Sequence, residues 1–204
     1  MSWRQHGLEE ARRYAALVGA REDDVLLDIG ANCGEVSRLW RGRRARAVAV
    51  EPNLLLHGQL RSISELVCIE AAVVGELAVE TVLFMEAARD VCSYIDVAYV
   101  GERPPDEIVR AYSVHAVRFR DLVETYRPSV IKVDVEGSEY LFADDFVDLP
   151  EHVRALAVEW HGFGVQHCAR AHVYDHLLVE HGWTAVGDEL PATFIAAVRG
   201  YLRT

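Results

Sequence analysis

The sequence predicts an α/β fold: a mostly parallel, seven-stranded sheet with a C-terminal antiparallel hairpin and an inserted β element near residues 76–119. Three observations carry this expectation. Short β-rich apolar runs alternate with helical patterns, which implies right-handed crossovers between parallel strands. Those runs are apolar almost without interruption, as strands covered on both faces are. The chain then ends in two strand-like runs with too little sequence between them for a helix.

The elements follow in order. "MSWRQHGLEEARRYAALVGA" (1–20) interleaves acids and arginines with apolar residues and reads as an amphipathic helix, without the apolar centre of a signal peptide. The first five strand candidates are "VLLDIG" (25–30), "AVAVEP" (47–52), "VCIEAAVV" (67–74), "VIKVDVEG" (130–137) and "ALAVEW" (155–160). Helical candidates lie near 35–41, 54–65, 120–127 and 166–181. "TAVGDE" (184–189) and "TFIAAVRG" (193–200), separated by a short turn around Leu190-Pro191, should pair as an antiparallel hairpin. In between, "AVETVLFME" (78–86), "VCSYIDV" (91–97) and "VHAVRFR" (114–120) break the alternation as extra strands, with the loop "GERPPDE" (101–107) before the last. Such an insertion belongs near the carboxyl edge of the sheet, where it can wall a substrate pocket.

Composition narrows the function. A chain of 204 residues with 51% hydrophobic and 26% charged residues suits one soluble globular domain spanning 1–204. No run of 18 or more apolar residues occurs, so no membrane span is expected. Cys33, Cys68, Cys92 and Cys168 are widely spread with no CxxC pair, which suits free thiols in a cytoplasmic protein. A net charge of −11 opposes a nucleic-acid partner, and the one basic cluster, "RGRRAR" (41–46), reads as the end of a helix. A small molecule suits this composition better.

The first strand ends in Asp28 and runs into Gly30-Ala31-Asn32-Cys33-Gly34. Gly30 and Gly34 would let the backbone approach a ligand, and Asn32 tolerates a left-handed conformation. Glu51 ends the next strand, where a carboxylate faces a ribose in a βαβ unit. The loop is not G-x-G-x-x-G and has no P-loop lysine. It implies a ligand with a ribose but no phosphate to neutralise. S-adenosylmethionine meets that description, and Asp28 suits its cationic side. A parallel sheet closed by a C-terminal hairpin is also the sheet type of class I methyltransferases.

The motifs "LDIGANCGEVS" (27–37), "AVAVEPN" (47–53), "AAVVG" (71–75), "IKVDVEGSEY" (131–140) and "AVEWHG" (157–162) resemble, in this order, the FkbM-type S-adenosylmethionine-dependent methyltransferases. The resemblance implies a class I fold and methyl transfer, usually to a hydroxyl of a sugar or secondary metabolite. Asp28, Gly30, Asn32, Gly34 and Glu51 match the family's cofactor-binding positions. Where the family tends to have paired small polar residues, this chain has Cys92-Ser93-Tyr94, with Ser93 as the remaining candidate contact.

Methyl transfer from a sulfonium is an in-line displacement that aligns the acceptor oxygen, methyl carbon and sulfur, and often removes the acceptor proton. Period-two geometry would put Lys132, Asp134 and Glu136 on one face of the fourth strand, and Glu159 with His161 on one face of the fifth. Asp134 is the first catalytic or substrate-orienting candidate. Glu136 is a candidate contact for the cofactor's ammonium. His161 is the candidate general base because histidine titrates near neutrality, with Glu159 to orient it. Lys132 in an apolar strand demands a partner, and an ion pair with one of these acids is expected. Asp134 and Glu159 would also suit Mg²⁺ on a vicinal diol. His172 and His176, flanked by His167 and His181, have zinc spacing but read as surface histidines, so no metal site is assigned. Two other readings stay open: a module that only binds S-adenosylmethionine, and a nicotinamide-dependent oxidoreductase.

Overall fold

The computed structural model describes residues 3–43, 45–76, 79–88, 93–96, 108–162 and 165–203. The elements are α1 (Trp3–Val18), β1 (Val25–Ile29), α2 (Glu35–Gly42), β2 (Arg46–Val50), α3 (His57–Arg61), β3 (Val67–Ile69), β4 (Ala72–Val74), β5 (Thr81–Ala87), β6 (Tyr94–Ile95), β7 (Ile108–Arg118), α4 (Phe119–Tyr126), β8 (Val130–Val133), β9 (Ala155–His161), α5 (Val165–Glu180), β10 (Trp183–Val186) and β11 (Ala196–Arg203). Two 3₁₀ turns, Ser138–Leu141 and Ala143–Phe146, follow β8.

The main sheet has seven strands in the order β10-β11-β9-β8-β1-β2-β3. β3, β2, β1, β8 and β9 pair in parallel, and β11 runs antiparallel to both β9 and β10. Strand order reverses at β1, so the crevice between the carboxyl ends of β1 and β8 is the switch point where open α/β sheets take ligands.

Alternation along each strand sorts the core into two layers. Leu27, Ile29, Ile131, Val133, Leu156 and Val158 pack with Phe119 of α4, Phe142 between the two 3₁₀ turns, Phe146 of the second, and Tyr174 and Leu178 of α5. Leu26, Val130, Ala155 and Ala157 face Ala11, Tyr14 and Val18 of α1 and Trp40 of α2. Asp28, Lys132 and Glu159 share the parity of that second set. The polar row of the sheet therefore lies under α1, and this places the site described below.

Four boundaries differ from the sequence expectation. The run 67–74 is two strands, because β3 joins β2 while β4 crosses to pair with β7 in a second sheet of order β4-β7-β5-β6. The helix expected over 54–65 shrinks to α3: Asn53 Oδ1 accepts a hydrogen bond from Leu55 N at 3.0 Å, and this turn holds the chain before His57 out of the helix. β7 starts at Ile108 and ends at Arg118, because pairing with β5 recruits residues 108–113. The hairpin strands are offset from the expected ones and joined by a longer connection, residues 187–195, so that β11 can pair along all of β9.

The inserted β element does reach the carboxyl edge. Tyr112 Oη of β7 accepts a hydrogen bond from Leu54 N at 3.3 Å, in the segment just after Glu51. The loop 101–107, Cys92, and parts of the expected strands 78–86 and 91–97 lie outside the described residues. Of the helix-borne histidines, His167 is buried rather than on the surface, its ring 5.3 Å from that of Tyr140. His176 is exposed beside Glu180. Among the described residues, no helix is long and apolar enough to cross a membrane.

Candidate active site

The loop after β1 is held from both sides. Gly30 N and Ala31 N both donate to Val50 O, at 3.0 and 3.2 Å. Asn32 adopts φ 49°, the left-handed conformation its residue type tolerates, and its N–H donates to Glu51 Oε2 at 2.8 Å. Glu51 Oε1 accepts a second backbone hydrogen bond, from Asn53 N at 2.8 Å. Glu51 is nearly fully buried, and burial pushes its carboxyl up to about 7 against the two backbone N–H groups, which favour the charged form.

The loop glycines serve the protein's own packing. A Cβ on Gly30 would sit 1.7 Å from Asp134 O, and one on Gly34 would meet Ile63 and Leu60 at 2.6 and 2.8 Å. Both have positive φ, 72° and 84°. A side chain at Gly30 would therefore collide with the end of β8, and one at Gly34 with the region of α3.

Asp28 is wholly buried at the end of β1. Its Oδ2 accepts a hydrogen bond from Ser37 Oγ at 2.6 Å, and its Oδ1 lies 3.5 Å from Lys132 Nζ. Lys132 Nζ is also 3.4 Å from Asp134 Oδ2 and donates to Gly30 O at 2.7 Å. Burial opposes its charge, but Asp134, Asp28, Glu10 and Glu159 outweigh it and hold the ammonium above its ordinary range. The expected ion pair is therefore present, with two acids at once.

β8 ends at Val133, so strand alternation does not carry on to Glu136. The chain turns through Glu136 (φ 54°) and Gly137 (φ 97°) into the 3₁₀ segment. That turn still delivers Glu136 to the site, with its Oε2 3.5 Å from His161 Nε2. One ligand-type atom each from Asp134, Glu136 and His161 lies within 4.8 Å of the others, and the same holds for Glu10, Asp134 and Glu159. Asp134 joins the two groups.

His161 does not titrate near neutrality. Burial opposes its charge, but the carboxylates of Glu139, Glu136 and Glu159 outweigh burial and raise it to about 10. Its Nδ1 lies 3.3 Å from Glu139 Oε1. The carboxylates around it favour the protonated ring, which has no lone pair with which to take a proton, so the general-base role expected of His161 requires that the ring first lose its proton. Glu159 is likewise occupied: Tyr14 Oη donates to its Oε2 at 2.9 Å, and burial followed by repulsion from Asp134 raises its pKa.

Three residues at the site, Glu139, Glu10 and Tyr14, were not singled out from the sequence. Glu139 is completely buried, with Oε2 accepting from Gly137 N at 2.9 Å and Oε1 from His161 N at 2.7 Å. In "EGSEY" it resembles any surface glutamate, and only the chain reversal at Gly137 turns it inward. Glu10 and Tyr14 come from α1, four residues apart and so on one helix face. Burial first, and then Asp134, push Glu10 up to about 7. Ser93 is buried, and its Oγ accepts from Ala87 N at 3.1 Å within the inserted element.

Both acidic groups have a basic side chain at hand: Lys132 Nζ lies 3.5 Å from Asp28 and 3.4 Å from Asp134, and His161 Nε2 lies 3.5 Å from Glu136. A metal there would compete with these groups for the carboxylates.

No family model matches the chain, and no curated protein matches it. Solved structures do. It is similar to a precorrin-6Y C5,15-methyltransferase from Geobacter metallireducens, at 12% identity over 96% of this chain and 88% of that one, with a TM-score of 0.52. A precorrin-8W decarboxylase from Methanobacterium thermoautotrophicum matches at 11% identity over 96% and 90%, with a TM-score of 0.51. A dimethyladenosine transferase from Plasmodium falciparum matches at 7% identity over 96% and 62%, with a TM-score of 0.52. At these identities the likeness is one of architecture: the chain has the class I methyltransferase, Rossmann-like fold.

Proposed function

We propose that the chain is an S-adenosylmethionine-dependent methyltransferase of the FkbM type that methylates a hydroxyl of a small molecule, a sugar or secondary metabolite. The observation that carries the reading is the loop from Gly30 to Gly34 closed on Glu51, a carboxylate at the ribose position beside a loop without lysine or arginine. The shared fold with a precorrin-6Y C5,15-methyltransferase and a dimethyladenosine transferase supports methyl transfer. The buried or half-buried thiols Cys33, Cys68 and Cys168 suit a reducing, cytoplasmic setting.

In this reading Asp28, Gly30, Asn32, Gly34 and Glu51 form the cofactor side, with Glu136 available to an ammonium group. Bound there, S-adenosylmethionine supplies an electrophilic methyl group. Asp134, the partly exposed acid common to both groups, orients the acceptor hydroxyl and takes its proton. His161 lies between Glu136 and Glu139 and holds them in place, while Tyr14 orients Glu159 beside Asp134.

Calorimetry tests the cofactor. S-adenosylmethionine and S-adenosylhomocysteine should bind and NAD and ATP should not; binding of NAD alone rejects the reading. Methyl transfer from labelled S-adenosylmethionine to a panel of hydroxylated small molecules then identifies the acceptor. With an acceptor found, Asp134→Asn should abolish turnover while S-adenosylhomocysteine affinity stays within a few-fold of wild type. Undiminished turnover would remove Asp134 from the mechanism.

A further inference from the structure

Lys132 is the only lysine among the 21 Lys and Arg residues of the chain. It is 4% exposed and sits on β8 in register with Asp28 of β1. Burying an ammonium is costly unless its protons and charge are matched. Here they are matched by groups from two different parts of the site: Gly30 O at 2.7 Å, Ile29 O at 3.5 Å, Asp28 at 3.5 Å and Asp134 at 3.4 Å. The remaining groups that face it are Glu10 and Tyr14 of α1, with the Tyr14 ring centroid 5.5 Å from Nζ, and Glu159 of β9.

The contact with Gly30 O has a particular effect. The peptide between Gly30 and Ala31 is pinned at both ends, its carbonyl by Lys132 and its N–H by Val50 O. That fixes the plane from which the next N–H, of Asn32, reaches Glu51. The same ammonium holds Asp134, at the end of the neighbouring strand. A compact point charge with three rotatable donors suits this crossing of carbonyls and carboxylates. The planar, five-donor fork of arginine, which the chain uses at every other basic position, does not.

We propose that Lys132 is a positioning residue for the cofactor site: it locks the Gly30–Ala31 peptide and Asp134 to one another, so cofactor affinity depends on a side chain that does not touch the cofactor. This rests on the S-adenosylmethionine reading above. The test uses the full chain with S-adenosylhomocysteine as the probe. If wild type does not bind it, the cofactor reading itself falls and this proposal falls with it. If wild type binds, K132M should remain folded by circular dichroism yet bind about tenfold or more weakly, the scale of losing a charged hydrogen bond. K132R should fail to restore affinity. A folded K132M with wild-type affinity, or full rescue by K132R, overturns the proposal while leaving the cofactor reading intact. Should K132M not fold, wild type labelled at lysine Cε and Nζ offers a single lysine resonance to follow. That signal should shift on saturation with S-adenosylhomocysteine, and an unmoved signal overturns the proposal.

Discussion

At the scale of the residue, Gly30 shows how a motif position can be right while its reason is different. The need for a glycine was legible in "DIGANCG"; that the missing Cβ makes room for Asp134 O was not, because it depends on a strand about a hundred residues away. Gly30→Ala should therefore cost more than about 3 kcal/mol, the scale of a backbone clash with added strain, or leave the protein insoluble; chemical denaturation measures it. Glu51 is a different case. Both of its oxygens accept backbone N–H groups, and glutamine would put an NH₂ against one of them. Glu51→Gln should cost about 1–3 kcal/mol in the same assay and weaken S-adenosylhomocysteine binding in calorimetry. A neutral variant with unchanged stability and affinity would show that the carboxylate has no role in either.

At the scale of the element, the parallel strands and the closing hairpin were readable because both-face burial writes long apolar runs into sequence. The division of residues 67–74 into β3 and β4 was not, since a run of apolar residues does not say which sheet each half joins. Helix α1 was legible as amphipathic, but not as one wall of the site. Its Tyr14 hydroxyl is the hydrogen-bond donor to Glu159 at the heart of the acidic row. Tyr14→Phe keeps the ring against the core and removes only that donor, leaving a half-buried acid short of a partner. A loss of about 1–3 kcal/mol is expected by thermal or chemical denaturation, with little change in secondary structure.

At the scale of the whole molecule, the buried titratable groups set how stability varies with pH. Glu51 and Glu10 have folded pKa values raised to about 7 from 4.5, so the folded state holds protons that the unfolded state has released, and stability falls as pH rises through that window. His161 is raised to about 10 from 6.5, so its contribution is complete below 6.5 and is lost as pH climbs toward 10. Asp24, lowered from 3.8 by Arg154 and its other hydrogen-bond donors despite the cost of burial, acts oppositely and matters only in acid. Melting temperature should peak on the acid side of neutrality and decline from there to about pH 10. His161→Gln should flatten the upper part of that decline. A flat profile in wild type between pH 6.5 and 10 would contradict the raised pKa of His161.

By itself the sequence determined the parallel core and hairpin, the left-handed loop at Asn32 and the acids at or near the ends of β2, β8 and β9. All of these follow from local rules: periodicity, backbone tolerance and the position of polar residues at strand ends. Only the tertiary structure decided what those acids can do. Charge state depends on every group within a few ångströms, whatever its place in the chain. Packing α1, the Gly137 reversal and β9 around Asp134 placed Lys132 and His161 among the carboxylates, and those neighbours favour the charged form of the histidine that the sequence had suggested as a base.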